Sequence, residues 1–313
     1  MKHIKLIFGV LLLINMTVLA SDVKFGGLTF LHFNYEDADK NEFGIKRAYF
    51  TYSNKLNKRI SYKFQMDVGP GSVSAYSVYV KNAKVDWKTS YGKITLGIQG
   101  MNLFAVQEKT WGYRFIEKSA MDRNKYASSA DMGFGWSHKV GVVNTSVIIS
   151  NGGGYKKAET DGHKKISANL YLGQAQLSQK FNAGLIYSHE GIDDEADATA
   201  TSVVFGGFGG LAVKSLRIGI EYNIHTVEAA TETMSTLFSG YSRIDLTNKL
   251  AGYIRYDYFD PDLDQKLDAE SYFITGLNLE AEKGLSIAPN IRVIIPEEAD
   301  THIAYYLNFQ FKF

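Results

Sequence analysis

The chain has 313 residues, with 34 Lys and Arg against 33 Asp and Glu, a net charge of +1 and no cysteine. A disulfide framework is therefore excluded, the scattered histidines give no zinc-ribbon spacing, and nothing implies a nucleic-acid partner. With 20 Tyr, 19 Phe and 29 Gly beside only 4 Pro, the composition describes strands joined by tight turns.

At the N-terminus Lys2 and Lys5 precede an apolar run from Leu6 to Ile14, and Val18-Leu19-Ala20 supplies small residues before Ser21. Charge, apolar and small-residue zones in this order read as a secretory signal peptide over residues 1–20, so the mature chain starts near Ser21 and leaves the cytoplasm. Beyond it no run of about 18 apolar residues occurs, so any membrane crossing must use strands. No linker or composition shift divides residues 21–313, which reads as one domain.

Period-two alternation then recurs along the chain. Between Arg59 and Val68 the apolar set Ile60, Tyr62, Phe64, Met66 and Val68 interleaves with Ser61, Lys63, Gln65 and Asp67. From Leu216 to His225 the pattern repeats with Arg217, Glu221 and Asn223 on the polar face, and the chain ends on "IAYYLNFQFKF" with aromatics at every second place. Sixteen strands are predicted at about 22–35, 43–54, 58–68, 75–88, 92–100, 132–138, 141–151, 164–173, 180–190, 200–211, 214–226, 233–245, 248–259, 270–281, 285–295 and 301–313. The glycine-rich stretches near Thr201–Val213 and Met234–Leu246 leave fourteen strands open as the alternative.

Connections sort by parity. One set is short and lysine-bearing ("SNKLNK", "KTSYGK", "SHKVG", "LSQK", "AVKS"); the other is longer and acidic ("YEDADKNE", "HEGIDDEAD", "TVEAATET", "DPDLDQKLDAE", "PEEAD"). Such sorting places the two sets on opposite rims of one closed sheet, with both termini at the lysine rim. The expected fold is all-β: a 16-stranded antiparallel transmembrane β-barrel whose last strand closes against the first. Acidic outer loops would bridge through divalent cations to lipopolysaccharide phosphates of the outer membrane.

Residues 101–131 break the short-loop pattern. They carry Leu103, Phe104, Trp111, Tyr113, Phe115 and Ile116, too apolar for a segment lying in water, and are expected as an inward-folded third extracellular loop. Lys109, Arg114, Lys118, Arg123 and Lys125 there outnumber Glu108, Glu117 and Asp122 and would favour anions modestly at a constriction. The wall leans the same way, with Arg59, Lys63, Lys84, Lys165, Arg217, Arg255, Arg292 and Lys312 expected on the pore lining against Asp67, Asp86, Glu221, Asp257 and Glu280.

Other motifs carry less. "DPDLD" at Asp260–Asp264 has alternating carboxylates, but Gln265 and Ser271 stand where a calcium loop needs Gly and Glu. "GGFGG" at Gly206–Gly210 reads as a place where the barrel bends or where a loop approaches its wall, and "NGGGYKK" at Asn151 reads as a loop tip. No histidine sits in a catalytic motif, so no enzyme, cofactor or metal site is expected.

"GIKRAYFTYSNKLNKRISYKFQMDVG" (Gly44–Gly69), "YGKITLGIQGMNLF" (Tyr91–Phe104) and the terminal Phe313 resemble the phosphate-selective porin O/P family. The resemblance is clearest up to about residue 150. It implies an outer-membrane homotrimer with an inward third loop and basic residues that pass anions, phosphate among them. Arg47, in "KRA", and Arg114 and Arg123 fall at the matching pore positions. The expected function is passive diffusion of small hydrophilic solutes with a weak anion preference; the alternatives are an adhesin or receptor barrel and a cation-leaning general porin.

Overall fold

The computed structural model describes residues 23–37, 41–71, 75–193 and 199–313. The expected signal peptide lies outside them, as do parts of the acidic connections near residues 38–40 and 194–198.

Sixteen strands close into one antiparallel barrel, each paired with its neighbours in sequence and the last with the first. They are β1 (Val23–Tyr35), β2 (Asn41–Lys55), β3 (Ile60–Gly69), β4 (Ser77–Thr89), β5 (Gly92–Gly100), β6 (Ala130–Val140), β7 (Val143–Ser150), β8 (Lys165–Gly173), β9 (Phe181–Asp193), β10 (Thr199–Val213), β11 (Leu216–Glu228), β12 (Glu232–Asp245), β13 (Leu250–Asp260), β14 (Glu270–Glu282), β15 (Leu285–Pro296) and β16 (His302–Lys312). The glycine-rich stretches are strands, which excludes the fourteen-strand alternative. Connections are shorter than expected after β11, where both strands extend and leave only residues 229–231 between them.

Closure uses a continuous register from Leu28↔Lys312 to Tyr35↔Tyr305. Gly27 N donates to Phe313 O and Phe313 N to Gly27 O, both at 3.1 Å, so the final residue satisfies its backbone on β1 and leaves no sheet edge there.

Alternation fixes two opposite surfaces. On β13 Ala251, Tyr253, Arg255 and Asp257 are buried while Ile254 between them is exposed; on β11 Glu221 and Asn223 are buried while Ile220 and Tyr222 are exposed. In a closed barrel the buried set is the inner one. The outer surface is correspondingly oily, with Leu185, Phe205, Ile218, Phe273, Leu277 and Tyr305 exposed. In water such a surface would be unfavourable by about 25 cal/mol per Å² of apolar area, which suits it to hydrocarbon. Among the described residues no helix is long and apolar enough to cross a membrane.

The interior core comes from the segment between β5 and β6. It holds two short helices, α1 (Ala105–Trp111) and α2 (Ala120–Arg123). Helix α1 stops at Gly112, whose φ of 76° lets its N–H turn back to Glu108 O at 2.9 Å. Helix α2 starts at Ser119, whose side chain accepts from Asp122 N at 3.3 Å. Trp111, Tyr113, Phe115 and Ile116 pack with wall residues Phe30, Tyr49, Tyr241, Tyr253, Tyr272 and Ile274; Leu103, Phe104, Val106 and Met121 pack with Ile186, Val204, Phe208 and Leu237. On β10 Gly210 makes the approach possible, because a Cβ there would stand 2.8 Å from Thr110 Cγ2 of α1 and from Leu177.

Candidate permeation pathway

Polar anchors fix the segment where its apolar side chains do not reach. Asn102 accepts from Ser167 Oγ at 2.8 Å, and its carbonyl accepts from Asn169 at 2.8 Å. Asn182 donates to Thr110 Oγ1 at 3.0 Å, Tyr241 to the Gln107 carbonyl at 3.0 Å, and Asn308 to the Phe115 carbonyl at 3.3 Å. These partners sit on β8, β9, β12 and β16, so one segment is tied to widely separated parts of the inner wall.

The strongest tie is ionic. Arg292 Nη1 donates to Glu117 Oε2 at 2.6 Å, Tyr272 OH donates to the same oxygen at 3.0 Å, and Lys46 Nζ lies 3.7 Å from Oε1. Arg292 Nη2 and Lys46 Nζ also donate to the Ile116 carbonyl at 2.7 and 2.8 Å. Burial alone would raise the Glu117 carboxyl's pKa, but Lys46, Arg292 and Arg255 overcome this and hold it well below the usual carboxylate range. It is therefore an anion at neutral pH.

Arg255 and Arg292 thus differ from their expected place on an open lining. They are 1% and 6% exposed. Arg255 pairs with Asp257 at 2.6 Å and donates to the Lys118 carbonyl. Both arginines anchor the segment, because a basic side chain on an inner face binds whatever covers that face. Arg123 likewise pairs with Glu270 at 2.6 Å and lies 3.8 Å over the Tyr272 ring. Arg114 pairs with Glu108 and, at 3.0 Å, with Asp122. Arg217 donates to the Leu177 carbonyl at 2.8 Å.

Other expected residues face open space. A cavity of about 600 Å³ lies between the segment and β4–β8, and its charged lining is Lys84, Lys88, Lys93, Lys109 and Lys139, with no carboxylate. Asp86 stands behind, 3.1 Å from Lys84 and 3.7 Å from Lys93. A second cavity, about 280 Å³, is lined by Arg47, Lys118, Lys125, Lys156 and Lys157 against Asp122. A third, about 370 Å³, lies at the short-turn rim with Lys55, Lys58, Arg59 and Lys88. Lys63, half-buried on β3, reaches Gln65 at 3.4 Å.

Three residues escape sequence reasoning. Lys81 on β4 is 9% exposed, 4.0 Å from Asp67 and between the Tyr49 and Tyr155 rings at 5.4 and 4.8 Å. Tyr155 and Lys156 come from the stretch read as a loop tip, yet they reach the inner wall. Their only sequence signal is an aromatic residue directly after three glycines.

Catalytic geometry is thin. Ser202 Oγ lies 2.9 Å from His225 Nε2, but that ring packs on Tyr126 at 5.2 Å, and no carboxylate orients it among the described residues. In "DPDLD" Asp262 spends its oxygens on Asp264 N at 3.2 Å and Gln265 Nε2 at 3.0 Å. No group of three His, Asp or Glu suited to a metal occurs among the described residues.

No family model matches the chain, and none of the curated proteins compared with it matches. Solved structures do. A loop-L8 deletion mutant of OmpT, an outer membrane protein of Vibrio cholerae, is similar at TM-score 0.73 and 12% identity over 93% of this chain and 99% of that one. The anion-selective porin from Comamonas acidovorans is similar at TM-score 0.73 and 10% identity over 93% and 99%. In-vitro folded OmpT in a trimer form gives TM-score 0.68 and 11% identity over 93% and 99%. At these identities the likeness establishes the porin-type sixteen-strand barrel fold.

Proposed function

We propose that the protein is an outer-membrane porin, a passive channel for small hydrophilic solutes that leans weakly toward anions, with phosphate-sized anions in its range. Residues 101–129 act as the constriction. The observation that carries the anion preference is the charge of the open space: the three cavities are lined by thirteen different Lys and Arg side chains against Asp122 alone, and a fourth, about 260 Å³, adds Arg243 and Lys249 against Asp245 and Glu280. Fields from such a lining concentrate anions and deplete cations. Charges of opposite sign are mostly withdrawn into the segment's anchors, where they no longer meet a permeant.

The oily outer surface and lysine-bearing short turns support an outer-membrane location, reached through the N-terminal signal peptide. The acidic connections then face lipopolysaccharide. Three barrels assemble into a homotrimer, in keeping with the trimer form of OmpT. No catalytic step and no cofactor belong to this reading; among the described residues the Ser202–His225 contact lacks an orienting acid.

Liposome swelling tests the channel directly. Proteoliposomes of the purified barrel swell in isotonic solutions of small neutral sugars, at rates that fall steeply with sugar size. Rates equal to those of empty vesicles would contradict the reading.

A further inference from the structure

We propose that residues 151–157 form a second closing element of the passage, in which Tyr155 is a specificity-determining residue that keeps the Asp67 carboxylate away from permeating ions. The inference rests on the channel reading and names a control of the same pathway.

The stretch leaves β7 and bends on glycines that a side chain would obstruct. Gly152 and Gly154 have φ of 106° and 81°, in the left-handed region, and a Cβ on Gly154 would collide with Ser128 Oγ. So bent, the backbone docks on the start of β6. Gly152 N donates to Asp131 Oδ2 at 2.6 Å and Tyr155 N to the Ala130 carbonyl at 3.0 Å.

Docking delivers one side chain across the passage to β3. Tyr155 OH donates to Asp67 Oδ2 at 2.6 Å, the same oxygen that receives Arg47 Nη1 at 3.0 Å and lies 4.0 Å from Lys81 Nζ. The ring packs edge-on to Tyr79 at 6.2 Å and against Lys81 at 4.8 Å, and Lys156 lies 4.7 Å over Tyr79. Asp67 is thereby 0% exposed. Burial and the bond to Asp67 both raise the phenol's pKa above its ordinary value, outweighing Arg47, so Tyr155 remains a proton donor at neutral pH.

A buried carboxylate is tolerated only when paired, and Arg47 and Lys81 supply the pairing. The consequence for ions is a matter of access. With Tyr155 in place, the cavity beside it presents Arg47, Lys118, Lys125, Lys156 and Lys157 against Asp122; with the ring gone, Asp67 faces that water as a second carboxylate and offsets their field further. Within residues 151–157 Tyr155 is the side chain that hydrogen-bonds Asp67, so the masking is local to its ring and hydroxyl.

The test is the reversal potential of single channels in planar bilayers under a KCl gradient, for the wild-type, Tyr155→Ala, Tyr155→Phe, Gly154→Ala and Asp67→Asn proteins and the Tyr155→Ala/Asp67→Asn pair. Tyr155→Ala should shift the permeability ratio toward potassium by about fivefold, the weight of one unit charge acting over about 4 Å in water. Gly154→Ala, which dislodges the stretch without touching Tyr155 or Asp67, should shift it the same way, and Tyr155→Phe, which keeps the ring, much less. The double variant should match Asp67→Asn alone. An unchanged ratio in conducting Tyr155→Ala channels, or a shift that persists in the Asp67→Asn background, would overturn the inference while leaving the channel standing. Silence from folded wild-type protein would overturn both.

Discussion

Glu117 is the residue on which the interior depends most. Its carboxylate is 8% exposed and holds Arg292, Lys46 and Tyr272 together. Replacing it by Gln strands two cations against the wall, and breaking a buried pair in this way destabilises by about 3–5 kcal/mol. Glu117→Gln should therefore lower the denaturation midpoint of the detergent-folded barrel and raise open-channel noise. The pH response follows in sign. Because the folded pKa lies below the ordinary value, the tie is at full strength above about pH 4.3 and weakens only as pH falls through the folded value. Channel noise recorded from pH 7 down to pH 5 should stay constant.

Selectivity divides the basic residues differently from their order in the sequence. Lys109, Lys118 and Lys125 line open cavities, whereas Arg123 is held by Glu270 and Tyr272. Neutralising the three lysines together should shift the permeability ratio toward potassium, by up to about fivefold for each charge acting over about 4 Å in water, and Arg123→Gln should leave it near the wild-type ratio. Reversal potentials of the two variants measure this contrast. Alternation identified the inner face of Arg255 and Arg292 correctly, but period alone carries no information on what covers a face. The covering segment decides whether an inward arginine meets solute or carbonyl.

At the scale of elements, the strands were legible because inner and outer surfaces differ so sharply: polar in, oily out, with a period of two. The segment 101–129 was marked by its aromatic content. Its partners were not, since pairs such as Glu117–Arg292 span 175 residues and leave no local pattern. The stretch at residues 151–157 was misread for the opposite reason, being too short and too glycine-rich to show any period. Burial gives these elements different exposure to proteases. In the folded barrel, cleavage should fall in the connection 261–269, where Leu263 and Leu267 are exposed, and spare 101–129. Gly210→Val, which pushes Thr110 and α1 off β10, should open the segment to cleavage; mass spectrometry of the fragments reads both outcomes.

On the scale of the whole molecule, the design separates stability from transport. Hydrogen bonds around a closed sheet hold the cylinder, as the β1–β16 register and the Gly27–Phe313 bonds show. The segment 101–129 packs against β1, β2 and β8–β16, and its Lys109, Lys118 and Lys125 line the charged space beside it. One measurement bears most directly on the claim that this space conducts: the reversal potential of purified wild-type protein in a planar bilayer under a KCl gradient. An anion-leaning porin gives conductance steps grouped in threes and a reversal potential displaced to the chloride side. Displacement to the potassium side would contradict the anion preference, and absence of steps from folded protein would contradict the channel itself.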